Sequence, residues 1–231
     1  MKLNLVGKLT LVLAAYFLVL TNNLNSVGFN LNTEILPENL LGISIYNWVG
    51  GFTSSIHDEA GVNISYGLFP KTEIQFGILN LSLYQNFGYL YSFLMIRYDL
   101  SENNIGALSI IYYPGNIFGL EPQYHLVSKI ANFVLEFNIK ATFKSSDFTK
   151  PVFTSYIATV YNFGNLSLYL EIDPIYDLGT GFKLDLIPGF AYTFSDYSQI
   201  CIGISLGDAD LLNNGFSPAI AVYYWQGFAF K

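Results

Sequence analysis

The chain has 231 residues, enough for one domain with a substantial core, and is 52% hydrophobic but only 12% charged, with a mean hydropathy of +0.39. Soluble domains carry roughly 25% charged residues, so this balance points towards lipid, while a net charge of −7 without any Lys/Arg run argues against a nucleic-acid partner. The single cysteine, Cys201, excludes an intramolecular disulfide.

The N-terminus has the layout of an export signal. Lys2 and Lys8 supply positive charge, Leu9 to Leu20 is apolar, and Thr21 to Ser26 is short and polar. A cleaved signal over 1–26 is expected, with an uncleaved N-terminal anchor as the alternative. Residues 27–40 mix polar and apolar character around Pro37. They are expected to form an N-terminal extension, a plug or an additional strand. No later segment offers the roughly 20 uninterrupted apolar residues that a spanning helix needs. Only helices and closed barrels satisfy their backbone hydrogen bonds inside a bilayer. A lipid-like composition without spanning helices therefore predicts a barrel over 41–231.

From Leu41 onwards apolar and small or polar residues alternate with the period of a strand. Segments of this kind are predicted near 41–52, 59–68, 73–85, 89–100, 105–113, 121–129, 132–144, 152–162, 165–173, 181–194, 199–207 and 217–230. In 132–144, Phe133, Leu135, Phe137, Ile139, Ala141 and Phe143 take one face. Asn132, Glu136, Asn138, Lys140, Thr142 and Lys144 take the other, with only Val134 out of place. In 199–207 the two faces are Ile200, Ile202, Ile204, Leu206 and Gln199, Cys201, Gly203, Ser205, Gly207. Most segments run about 9–13 residues, as tilted membrane strands do, whereas soluble strands usually have five or six.

Short polar turns are expected at Phe69–Thr72, Ser101–Asn104, Ile130–Ala131, Phe163–Asn165 and Ser195–Ser198. Generally longer loops are expected between them, at Phe52–Asp58, Pro114–Leu120, Ser145–Pro151, Pro174–Thr180 and Asp208–Phe216, with Asn86–Gly88 short. Outer-membrane barrels put short turns on the periplasmic side and longer loops outside. Both barrel termini then fall on the short-turn side, as an even strand number requires. Tyr66, Tyr84, Tyr98, Tyr112, Tyr124, Tyr192, Tyr224 and Phe230 crowd the ends of the apolar faces, where interfacial girdles form. Pro188 implies a bulge or local defect in its strand, and a phase shift near Ile78–Asn80 a further bulge.

The stretch Tyr66-Gly67-Leu68 followed by Glu73-Ile74-Gln75-Phe76-Gly77 resembles the tight hairpins of bacterial outer-membrane barrel proteins. The last segment, with Ile220, Val222, Tyr224, Phe228 and Phe230, resembles the aromatic-ended assembly signal of that class, except that Lys231 follows the final Phe. The resemblance is to a class of architecture and to no one family. It implies an all-β, closed, antiparallel up-and-down transmembrane barrel of about twelve strands, within ten to fourteen, in the outer membrane.

The polar face is rich in small residues, among them Gly42, Ser44, Gly61, Asn63, Ser65, Gly77, Ala107, Ser109, Gly189, Ala191, Gly203 and Ser205. A water-exposed sheet would carry more Lys and Glu there. The apolar face is therefore expected to meet lipid and the small-residue face to fill the tube. Sharing the inner parity are Arg97, Asp99, Glu121, His125, Lys129, Glu136, Lys140, Glu171, Asp173, Lys183 and Asp185. A turn at Ile130–Ala131 that pairs Lys129 with Asn132 sets His125 opposite Glu136 and Glu121 opposite Lys140.

Chemistry is sparse. His125 with Glu136 offers a base and an orienting partner, but Ser128 has the opposite parity. A structural lumen histidine is expected, and no catalytic residue. His57, beside Asp58 and Glu59, lies far from His125, which argues against a His-based zinc site. Asp173, Asp177, Asp208 and Asp210 do not follow a calcium-loop spacing. Gly50-Gly51 and Gly179-Thr180-Gly181 lack the helix that phosphate cradling requires and are expected in turns. No metal and no cofactor is expected. The predicted function is a passive pore or transport-related barrel for small solutes, with outer-membrane lipid as the surrounding partner. The alternative is a structural or adhesive surface barrel with a plugged lumen. A membrane-embedded hydrolase ranks below both.

Overall fold

The computed structural model describes residues 35–50, 57–82, 88–101, 104–179, 181–195, 198–207 and 211–229. Expectations for residues 1–34, and for Gly51, Tyr84, Thr180, Asp208, Asp210 and Phe230, lie outside this set, as do the side chains of His57 and Asp58.

Twelve strands follow one another: β1 (Leu40–Gly50), β2 (His57–Phe69), β3 (Thr72–Ser82), β4 (Gly88–Ser101), β5 (Asn104–Tyr113), β6 (Ile117–Ile130), β7 (Phe133–Lys144), β8 (Asp147–Phe163), β9 (Leu166–Asp177), β10 (Gly181–Ser195), β11 (Ser198–Ser205) and β12 (Ala219–Ala229). One helical turn, α1 (Leu211–Asn214), precedes β12. Each strand pairs antiparallel with its sequence neighbours. β1 also pairs with β12, from Leu40 opposite Ala229 to Val49 opposite Ile220, and so closes the barrel. Closure pairs the first strand with the last and so removes the two outer edges that an open sheet would leave in hydrocarbon.

Period two sets the two faces. Ile96, Leu108, Ile110, Leu120, Leu135, Leu168 and Leu170 are exposed, while Arg97, Ser109, Glu121, Glu136 and Glu171, next to them in sequence, are buried. A soluble protein does the reverse, so the bulky apolar side chains face a solvent as apolar as themselves. Aromatic girdles cap this band. At the short-turn end the Phe133 and Tyr161 rings lie 4.5 Å apart, Tyr161 and Phe163 4.4 Å, and Tyr192 and Phe194 5.1 Å. Tyr66 there donates to Asn39 Oδ1 at 3.0 Å, and Tyr124 to Asn104. At the other end Tyr112 donates to Asn116 Oδ1 at 3.2 Å and stacks against Phe118 at 5.3 Å. An interfacial tyrosine thus keeps its ring in lipid and ties its hydroxyl to a turn asparagine.

Two expectations need correction. First, β6 begins at Ile117, β8 at Asp147 and β9 ends at Asp177, so the loops expected at 114–120, 145–151 and 174–180 are mostly strand. The turns among the described residues there are 114–116, 145–146 and 178–179. Polar strand ends that rise above the bilayer keep their ladder hydrogen bonds, so polarity alone does not mark a loop. Second, the β6–β7 turn is Ala131–Asn132, with Ala131 at φ +52°, and Ile130 pairs with Phe133. The register moves by two residues. His125 faces Asn138, not Glu136; Val127 faces Glu136; Gln123, not Glu121, faces Lys140. A shift of two preserves parity, so the face assignment is unaffected. The local defect expected at Pro188 is present, as a gap and not as a bulge. β10 stays in register with β9 through Pro188 opposite Leu170, while the β10–β11 pairs stop at Gly189 opposite Gly203. The expected bulge near 78–80 is present, as register shifts on both sides of β3.

Inward glycines make room for inward rings. A Cβ on Gly77 would lie 2.2 Å from the Phe93 ring, and one on Gly203 2.7 Å from the Tyr169 hydroxyl. Gly77→Ala is expected to destabilise the barrel by about 1–3 kcal/mol, the usual cost of overpacking. Because the three atoms nearest to that Cβ all belong to the Phe93 ring, adding Phe93→Ala should relieve the clash. Denaturant unfolding of the single and double variants in lipid vesicles reads this; equal losses in both would contradict it.

Candidate functional site: the filled lumen

The inner face is built in rings, because a side chain on one strand meets those opposite it on the next. One ring runs from Glu73 on β3 to Arg97 on β4, Ala107 on β5, Gln123 on β6, Lys140 on β7 and Thr154 on β8. Glu73 and Arg97 are joined at 3.1 Å and have 0% and 1% of their side-chain surface exposed. The same Glu73 carboxylate accepts the Leu36 amide at 2.9 Å and a hydrogen bond from Gln75. Arg97 lies within electrostatic reach of His125 on β6, Tyr156 on β8 and Tyr223 on β12. These strands stand on different sides of the barrel, so the guanidinium reaches into the middle of the tube.

A second ring holds His125, Asn138, Tyr156, Asp173 and Asp185 on β6 to β10. With Thr154 opposite Ile175 and Ile157 opposite Ile172, Tyr156 falls beside Asp173, which faces Asp185. The Tyr156 hydroxyl and His125 Nδ1 are 3.2 Å apart. Asp185 is fixed by the Leu186 amide at 2.8 Å, the Gly207 amide at 3.1 Å and the Ser205 hydroxyl. One step towards the short turns come Val127, Glu136, Ala158, Glu171 and Ile187. Beyond them Val134, Val160 and Tyr169 join Val127, Ile187 and Trp48 in a buried apolar cluster. This explains Val134, the one apolar residue on a polar face.

The remaining expected residues lie around these rings. Glu121 takes the Thr142 hydroxyl, Gln123 Nε2 at 2.9 Å and the Lys140 ammonium at 3.8 Å. Asp99 meets Lys71 at 3.6 Å, half-exposed near a short turn. Lys129 is exposed opposite Val134, and Lys183 stands opposite Ile175. Ser128 pairs with Leu135 on the other face from His125. Sequence reasoning passed over Glu73, Tyr156 and Tyr223. Glu73 shares the parity of Gln75 and Gly77 and is legible on that ground; Tyr156 and Tyr223 are aromatic and carry no polar signal of an inner position.

At the end where β1 starts, the chain enters the tube. Leu36 packs on Leu40 and Trp225, and the Asn39 amide donates to Gly67 O at 2.9 Å. A Cβ on Gly67 would sit 1.9 Å from Pro37 O, so only glycine admits this segment.

No protein-family model and no curated protein matches the chain. Solved structures do. An outer membrane channel from Pseudomonas putida F1 superposes with a TM-score of 0.57 at 12% identity, over 88% of this chain and all of that one. The NanC porin gives 0.56 at 8% identity, over 83% of this chain and 99% of that one. At such identities the likeness is one of fold: this chain has the architecture of bacterial outer-membrane channels.

Proposed function

We propose that the protein is an outer-membrane pore for small solutes, constricted at the level of Arg97. The observation that carries this reading is a closed tube lined by fixed charges of both signs while its outer wall is apolar. Charged rings of this kind choose among solutes in channels. The channel fold of its structural neighbours supports it. Reconstituted into planar bilayers, the folded chain is expected to give discrete current steps. Protein with the heat-modifiable gel mobility of a folded barrel that gives no steps would sink the proposal.

A second reading, a structural barrel with a plugged lumen, is favoured by Leu36, held inside the tube by Glu73 and the two glycines at 42 and 67. Under it, residues 35–39 act as the stopper. Leu36→Gly then raises conductance, whereas in an open pore it leaves conductance unchanged.

A further inference from the structure

We propose that the long-loop mouth of the tube binds a zwitterion whose ammonium and carboxylate stand several carbons apart, an ω-amino acid in its simplest form. The inference rests on the pore reading for its purpose, but the binding is measured without current.

The site is a row of side chains with opposite charges at its two ends. Glu59 lies near the start of β2 and faces Trp48 on β1. Tyr46 on β1 and Tyr91 on β4 stand one step deeper, on the inner parity of Ser44 and Arg97. The Tyr46 hydroxyl donates to Glu59 Oε1 at 2.7 Å, and the Tyr91 hydroxyl donates to the same oxygen at 3.1 Å. The Tyr91 ring lies 6.0 Å from the ring of Tyr113 on β5, tilted by 49°. On Tyr113 sits the ammonium of Lys144, from β7, 4.9 Å from the ring centre. The order along the wall is carboxylate, ring, ring, ammonium.

Neither end is neutralised. The two hydroxyls orient Glu59 without compensating its charge, and among the described residues no cation pairs with it. Lys144 has the face of Tyr113 and no carboxylate. Asp147, opposite Lys144 on β8, is held by Lys150 at 3.2 Å, and Glu121 by Lys140 at 3.8 Å. Glu59 and Lys144 do not reach each other, because the two rings lie between them. The row is also open. Glu59, Tyr46, Tyr91 and Tyr113 are half-buried and Lys144 is exposed, unlike the packed cluster of Val127, Val160 and Ile187 deeper in the tube.

The solute's chemistry follows from this order. A simple cation would meet Glu59 and be repelled by Lys144, and a simple anion the reverse. An α-amino acid carries both charges on one carbon and cannot serve both ends. A longer zwitterion can, with its ammonium on the free side of Glu59 and its carboxylate on Lys144. Its methylenes then lie along the Tyr91 and Tyr113 rings, an apolar surface that a bare ion cannot use.

Titration calorimetry of the full chain folded in detergent tests this with 6-aminohexanoate. Saturable binding is expected. Its two singly charged relatives of equal length, 6-aminohexanamide and 6-hydroxyhexanoate, should bind at least about tenfold more weakly, the loss of one charged hydrogen bond. Glycine should show no binding. Glu59→Gln and Lys144→Met should each weaken 6-aminohexanoate by about the same factor. Lys144→Met should leave 6-aminohexanamide no weaker than before, which a general disturbance of the mouth would not do. No binding of 6-aminohexanoate, equal binding of either singly charged relative, or native affinity in either variant overturns the proposal. Should Glu59→Gln not fold, the probes on the native chain and the exposed Lys144 still decide. A chain that binds but passes no current refutes the pore and keeps the site; current without binding does the opposite.

Discussion

Arg97→Met lowers the unfolding free energy of the barrel by about 3–5 kcal/mol, the loss expected when one partner of a buried ion pair is removed. Arg97 and Glu73 are almost wholly buried, 3.1 Å apart. After the substitution the donors to Glu73 among the described residues are neutral, the Leu36 amide and Gln75. These satisfy its geometry but leave its charge uncompensated in a region of low dielectric. Adding Glu73→Gln removes that charge and should return most of the lost stability, since neutral replacement of a whole buried pair is often tolerated. Denaturant unfolding in vesicles, followed by tryptophan fluorescence, measures both. If the single variant matches the native chain, the pair is not buried as described. The conductance follows a different logic. Arg97 reaches the middle of the tube, so both variants should widen the current step, including the one that is stable.

Leu170→Arg is expected to cost about 2–4 kcal/mol, the penalty for arginine near the bilayer midplane on the lipid face. Leu170 is 46% exposed and sits on β9 opposite Thr159 and Pro188, two residues from Tyr161 and four from Tyr192 on the side away from the short turns. Leu166→Arg, on the same face but at the short-turn end, should cost about 0–1 kcal/mol. The comparison is sharp because both side chains are exposed in the isolated barrel, and only depth in the membrane separates them. Folding free energies in vesicles decide it. Equal costs at the two positions would mean that the apolar wall does not lie in lipid.

Most of the architecture was legible because membrane strands obey one strict rule, that alternate residues face oil. The twelve segments, the bulge near Asn80 and the parity of both faces follow from that rule and from the positions of turn residues. What it does not specify is position along the strand. The β6–β7 register was missed by two residues because Ile130 can enter the turn or the ladder without changing which side any residue faces; Ala131 at positive φ decides the matter, and alanine does not advertise that conformation. The strand ends at Asp147 and Asp177 were missed for a related reason. Above the bilayer no lipid selects for apolar residues, so the pattern fades while the hydrogen bonds continue. Within the site, Arg97, Glu136, Glu171 and Asp185 were placed by parity alone. That Arg97, Glu136 and Glu171 all lie within electrostatic reach of Tyr156 is not visible there, because contacts across a lumen depend on strands that are neighbours only around the circumference.

The seam between β1 and β12 has a consequence for biogenesis. The barrel's first strand finds its final partner only after the eleven others exist, so no subset of hairpins can be complete in the membrane. Deleting β12 would bare two edges at once, on β1 and on β11, each a row of amides that hydrocarbon cannot tolerate. Shortened nascent forms therefore have nowhere to rest, and assembly is committed as a single event that waits for the carboxyl end.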